Sequence, residues 1–175
     1  TGLMVAVDAT CSGLQILAGL AKDRSTAELV NVVPSEKPSD AYKAVAEKAK
    51  EFLPSYMHPW MTRAVRKRTV MTIPYNATKD SSRKYIREAL LENNIDPTKD
   101  ELTQVVNAVY NSMDSIVPGP MKVMRWIKKH VGLYIRNGAK EVQWVTPSGF
   151  VVNQRRDDIE TMRMELQLLG RTSVR

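Results

Sequence analysis

Leu3-Met4-Val5-Ala6-Val7-Asp8-Ala9-Thr10-Cys11-Ser12-Gly13-Leu14-Gln15 opens with an apolar run, ends that run at a carboxylate, and passes through small residues. Five apolar residues in succession predict a short buried strand. Beyond Gly13, the residues Leu14, Ile16, Leu17, Leu20 and Ala21 recur at helical spacing. The stretch reads strand, turn, helix, with Asp8 at the carboxyl end of the strand. A carboxylate so placed can hold Mg²⁺ through one or two oxygens and leave positions open for phosphate oxygens. On spacing alone, a turn or N-cap aspartate introducing the helix is the simpler account.

Working outward, Val30-Asn31-Val32-Val33-Pro34 predicts a second extended piece. A helix follows Pro38, with Ser39 as its cap and Tyr42, Val45, Ala46 and Ala49 on one face. Two prolines make a loop of residues 53–59. Residues 62–73 read as a helix that Pro74 ends, because the residue before a proline avoids the helical region. Three more helices are predicted near 81–93, 98–115 and 119–136, punctuated by Pro97 and by Pro118-Gly119-Pro120. The period then changes. Residues 141–146 alternate, Pro147-Ser148-Gly149 turns, and residues 150–154 return as a β-hairpin near 141–154. A last amphipathic helix is predicted from Asp157, through Ile159, Met162, Met164, Leu166 and Leu169, to Gly170. The fold class is α+β, mainly helical.

With 175 residues, 43% hydrophobic and 26% charged, the chain suits one globular domain of ordinary size. It contains no apolar run near the roughly 20 residues of a membrane span, so no membrane partner is expected. A lone cysteine, Cys11, and two separated histidines, His58 and His130, give neither a disulfide nor a zinc cluster. The chain starts at Thr1, and a processed product or a piece of something larger is expected. Its net charge of +7 is segregated. Residues 61–90 hold eight basic side chains against Asp80 and Glu88 alone, and residues 121–140 hold six with no acid. Such stretches attract polyanions, or else form solvated helix faces.

The first basic stretch contains Thr62-Arg63-Ala64-Val65-Arg66-Lys67-Arg68-Thr69-Val70-Met71-Thr72-Ile73-Pro74-Tyr75-Asn76. At four-residue spacing Arg63, Lys67, Met71 and Tyr75 form one stripe. Its two cations can grip a triphosphate while the Tyr75 ring packs on base or sugar. The plainer account is a basic surface helix with Tyr75 covering a core edge.

Together the two segments are specific. Residues 5–15 resemble the first catalytic motif of the phage-type single-subunit DNA-directed RNA polymerases. Residues 63–75, centred on Lys67-Arg68-Thr69-Val70-Met71-Thr72, resemble that family's fingers helix. Asn31-Val32-Val33-Pro34-Ser35-Glu36, Tyr42 and Gln143-Trp144-Val145-Thr146-Pro147-Ser148-Gly149-Phe150 fit the same family in the same order. The Asp-x-x-x-Ser-Gly-Leu-Gln pattern is more similar to RNA polymerases than to the related single-chain DNA polymerases.

The resemblance implies part of the palm and fingers of a right-hand-shaped polymerase. Residues 1–36 would be palm and residues 37–175 fingers, with the nucleotide-binding helix near 62–75. It implies Mg²⁺ on Asp8 and the Ala9 carbonyl, and Lys67 beside the leaving pyrophosphate. Arg63 would be a second triphosphate contact, Tyr75 the selector of ribonucleotides, and Tyr42 a neighbour in the same pocket. The implied partners are a DNA template, the RNA product, ribonucleoside triphosphates and the remainder of the polymerase chain. The implied setting is the cytoplasm of a phage-infected cell, or an organelle. The sequence departs from the family in several ways, and no counterpart of its amino-terminal promoter-binding domain or thumb is expected in these residues. Neither histidine is followed by the Asp of the second metal motif, and one carboxylate does not make a two-metal site. Asn76 replaces the usual Gly, Pro74 is unusual in that helix, and the segment between Met124 and Trp144 is short. The chain alone is therefore expected to be inactive. A non-catalytic nucleic-acid-binding module and one chain of a split polymerase are the rival readings.

Overall fold

The computed structural model describes residues 2–6 and 8–155, together with the backbone of 162–166 and 170–174. The chain divides into two compact units, Thr1–Trp126 and Ile127–Arg175. The first is built of helices: α1 (Ser12–Ala21), α2 (Arg24–Leu29), α3 (Ala41–Lys50), α4 (Arg63–Thr72), α5 (Lys79–Leu91), α6 (Lys99–Ile116) and the start of α7 (Pro118–Arg136). Short 3₁₀ turns at Ser55–Trp60 and Ile73–Tyr75 flank α4.

Polar residues set where most of these helices begin. Asp23, Asp40, Thr62, Thr78 and Thr98 each accept a backbone N–H from the first turn, and Thr98 forms a reciprocal capping box with Glu101. Helix α6 packs against α3, α4 and α5. It presents Leu102, Val105, Val106, Val109 and Met113 at helical spacing, all buried. Helix α3 meets it with Ala41, Val45, Ala46 and Ala49, small side chains that let the two backbones approach. Val65, Val70, Ile73, Ile86 and Leu90 complete this core. Leu14, Val30 and Met57 belong to the same core, while Arg63, Lys67 and Met71 of α4 are exposed.

In the second unit β1 (Glu141–Val145) pairs antiparallel with β2 (Val151–Arg155), Trp144 opposite Val152. Gly149 turns the hairpin at φ 83°, a left-handed conformation that glycine adopts without strain. Strand β3 (Met162–Leu166) pairs antiparallel with β4 (Gly170–Val174).

The mainly helical α+β class is as predicted, and so are the helices near 62–73, 81–93, 98–115 and 119–136 and the hairpin. Five local expectations are corrected. Residues 2–6 form no strand, and Leu3, Met4 and Val5 are 92%, 98% and 77% exposed, because no ladder among the described residues pairs with them; Val7 lies outside the described residues. Val30 caps α2 and Asn31 is left-handed at φ 61°, so a tight turn replaces the extended piece there. Asp40 rather than Ser39 caps α3; the Ser39 backbone is engaged by both ends of the Asn31 amide, at 2.7 and 2.9 Å. Most of the loop expected at 53–59 winds into the 3₁₀ turn Ser55–Trp60, which buries Met57. Finally, Met162-Arg163-Met164-Glu165-Leu166 is a strand where a helix was predicted. Its apolar residues also alternate at period two, which the helical reading overlooked; residues 157–161 and 167–169 lie outside the described residues.

Candidate active site

The loop before α1 and the exposed face of α4 come together, and the reason is local. Helix α1 starts at Cys11, whose side chain forms no cap hydrogen bond. Asp8 is therefore not the N-cap of that helix. Its Oδ1 accepts the Ala9 N–H at 2.8 Å, and the carboxylate is exposed. The loop is held from behind by Gln15, whose Nε2 donates to Thr10 Oγ1 at 3.2 Å and to the Val30 carbonyl at 2.8 Å. From the other side, the Tyr42 hydroxyl donates to the Thr10 carbonyl at 3.0 Å.

Two adjoining clefts share Ala9, Thr10 and Cys11 as their common wall. The larger, about 430 Å³, is closed by Asn31, Asp40, Tyr42, Arg63 and Lys67. The smaller, about 220 Å³, contains Asp8, Ser12, Gly13, Met71, Pro74 and Tyr75. Of the predicted stripe, Arg63, Lys67 and Met71 lie on α4 and Tyr75 on the 3₁₀ turn that follows; the two cations line one cleft, and Met71 and Tyr75 line the other. Tyr42 belongs to the cleft of the cations, next door to Tyr75 rather than beside it.

Tyr75 is 64% exposed, so it covers no core edge. Its hydroxyl lies 3.0 Å from Ser12 Oγ, and its ring rests on the first turn of α1. Gly13 permits this, since a Cβ there would stand 2.9 Å from Pro74 Cβ and 3.0 Å from Tyr75 Cζ. The two departures around Tyr75 fit the backbone. Pro74 sits at the start of the 3₁₀ turn, where no N–H is needed, and Asn76 ends it at φ 69°, a conformation Asn tolerates almost as well as Gly.

Charge is distributed unevenly. Arg63 pairs with Asp40 at 3.5 Å, whereas Lys67 is exposed with no acidic partner among the described residues. Burial pushes the Tyr42 hydroxyl above its ordinary value; Cys11 and Asp40 add to the shift and Arg63 opposes it. Burial likewise pushes the Cys11 thiol up, against a hydrogen bond with Thr10. A thiol so placed stays protonated at neutral pH. Ser12, Gly13 and Asp40 were not singled out by sequence reasoning. Gly13 and Ser12 lie inside the quoted motif, and Asp40 carries the ordinary signal of an aspartate just before a helix.

An exposed carboxylate, an unpaired lysine and an arginine around two joined clefts form a donor set suited to phosphate esters. The comparison with known families gives that class its identity: the chain belongs to the DNA-dependent RNA polymerase family, whose model matches residues 1–173. It is 32% identical over 166 residues to the mitochondrial DNA-directed RNA polymerase of Schizosaccharomyces pombe, covering 79% of this chain and 14% of the relative. It is 30% identical over 165 residues to the mouse mitochondrial enzyme, covering 87% and 14%. To the DNA-directed RNA polymerase of Enterobacteria phage K11 it is 25% identical over 231 positions, covering 99% and 25%. The chain thus spans a quarter or less of these relatives. The 231 aligned positions exceed its own 175 residues, so the phage relative carries segments without counterpart here.

Proposed function

We propose that this chain is a palm-and-fingers segment of a phage-type RNA polymerase that extends RNA from ribonucleoside triphosphates on a DNA template. Residues 1–36 belong to the palm and residues 37–175 to the fingers. The observation that carries the reading is the shared wall of the two clefts: one loop, Ala9 to Cys11, adjoins Arg63 and Lys67 on one side and Asp8 and Tyr75 on the other.

Asp8 and the Ala9 carbonyl would hold Mg²⁺. The exposed carboxylate fits that task, since among the described residues its only hydrogen bond is from Ala9. The bound ion would lower the pKa of the attacking hydroxyl and neutralise phosphate charge. Arg63 and Lys67 bind the triphosphate. As the RNA 3′-oxygen bonds to the α-phosphorus and the bond to the β-phosphate oxygen breaks, Lys67 supplies charge, or a proton, to the departing pyrophosphate. Tyr75, braced by Ser12 and Gly13, meets the sugar and selects its 2′-hydroxyl. Tyr42 fixes the loop beside the triphosphate.

Among the described residues no three His, Cys, Asp or Glu side chains converge. Asp8 is then one ligand of a site that another part of the polymerase completes, in the same chain or in a second one. The setting is that of the relatives, a phage-infected cell or a mitochondrion. Template-directed incorporation by a polymerase carrying this segment tests the reading. It should vanish in Asp8→Ala, and elongation at the unaltered rate would refute the assignment. Recovery of synthesis on adding a second polypeptide would establish the split form.

A further inference from the structure

The larger cleft contains an acid where a polyanion has to bind. Asp40 is fixed there by the helix it caps: Oδ1 accepts the Lys43 N–H at 3.0 Å, which leaves Oδ2 turned toward Arg63 at 3.5 Å. The two side chains are 40% and 63% exposed, so their pair is weak and easily exchanged. One helical turn along α4, Lys67 faces the same cleft without an acidic partner among the described residues. An entering polyphosphate meets Lys67 unopposed, whereas at Arg63 it competes with Asp40 Oδ2 and comes to lie beside that carboxylate.

We infer that Asp40 tunes the affinity of this cleft by competing with the polyphosphate for Arg63. It weakens binding of both the entering triphosphate and the leaving pyrophosphate. Its benefit is turnover, because Arg63 has a partner to return to once the product anion departs. This inference rests on the reading of the cleft as a triphosphate site, and deepens it.

The full 175-residue chain can be titrated calorimetrically with inorganic tripolyphosphate and with pyrophosphate at fixed ionic strength. Asp40→Asn keeps the helix cap, since Asn caps as well as Asp. It should bind both anions about threefold to tenfold more tightly, the range expected for releasing one exposed ion pair and removing one like charge. In an Arg63→Gln background the same change should gain less than about twofold, because the competed residue is gone. Equal gains in both backgrounds would mean general repulsion and would overturn the competition. Unchanged or weaker binding by Asp40→Asn would overturn it too; weaker binding by Lys67→Gln would leave the cleft reading standing. No binding by either the unaltered chain or Asp40→Asn would overturn the cleft reading and this inference together.

Discussion

Helices α4 and α5 each carry four basic residues, and the fold puts them to opposite uses. On α5, Arg83 pairs with Asp80, Arg87 with Asp96, and Lys79 donates to Asn107 while standing over the Tyr110 ring. Arg68, on the side of α4 that meets α5, pairs with Glu88 and stacks on Tyr85 at 4.0 Å. Much of the basic excess is thereby neutralised locally. In the larger cleft beside α4 the only acid among the described residues is Asp40, which pairs with Arg63 and leaves Lys67 without an acidic partner. Charge density along a sequence therefore locates basic helices, while the partners supplied by the fold decide which cations stay available to a ligand.

The harshest test of that contrast removes the carboxylate the cleft cations work with. In a polymerase carrying this segment, Asp8→Ala should lower incorporation on the order of 10³-fold or more, the scale of a lost metal ligand. The two helices can then be set against each other. Lys67→Ala should lower the rate about 10²-fold, as expected for a group that assists a leaving anion. Arg87→Gln, with its charge already spent on Asp96, should stay within about threefold. Equal losses in single-turnover measurements would erase the distinction between the helices.

Much of this arrangement was legible in the sequence for a physical reason. The stripe Arg63, Lys67, Met71 and Tyr75 follows from helical geometry, and the motif around Asp8 gave its counterpart. Pairing across the chain was not legible. Nothing local reveals that Asp40 faces Arg63, or that Gln15 ties Thr10 to the Val30 carbonyl, because these bonds join residues that only the folded chain brings together. Apolar character also misled. Leu3, Met4 and Val5 read as buried, yet burial needs a neighbour, and no described residue supplies one. The short α2 escaped because six residues are too few to show a period.

A gentler probe asks what keeps the end of α4 in register with the Asp8 loop. Helix α1 contains two glycines in different surroundings: a Cβ at Gly13 would press on Pro74 and Tyr75, whereas a Cβ at Gly19 would meet nothing within 4 Å. Gly13→Ala should destabilise the chain by about 1–3 kcal/mol, the usual cost of overpacking, and relax ribose selection by displacing the Tyr75 ring. Gly19→Ala should instead stabilise it by about 0.5–1 kcal/mol through lower chain entropy. Urea titrations of both variants check this, and a stable Gly13→Ala would remove Gly13 as the brace of Tyr75.

The smallest expected effect concerns a carboxylate satisfied without any cation. Asp23 caps α2 and also accepts the Gly119 N–H at 2.9 Å at the start of α7. Partial burial pushes its carboxyl up, but hydrogen bonds from the Thr26 and Ser25 hydroxyls and from the Thr26 and Gly119 N–H groups outweigh it and hold the pKa at about 2. A folded value below the ordinary 3.8 means the contribution is fully present above about pH 4 and is lost as pH falls through about 2. Solvent screening of this partly exposed group limits it to about 1 kcal/mol. Asp23→Ala should therefore lose a component of stability that the unaltered chain shows near neutrality and lacks near pH 2. That component should resist added salt, because its donors are neutral, whereas Arg87–Asp96 and Arg68–Glu88 are ion pairs that salt screens. A stability difference between Asp23→Ala and the unaltered chain that is the same at all pH values would mean that the cap acts without its charge. Asp23 would then cease to be the uncharged-partner counterpart of the acids on α5.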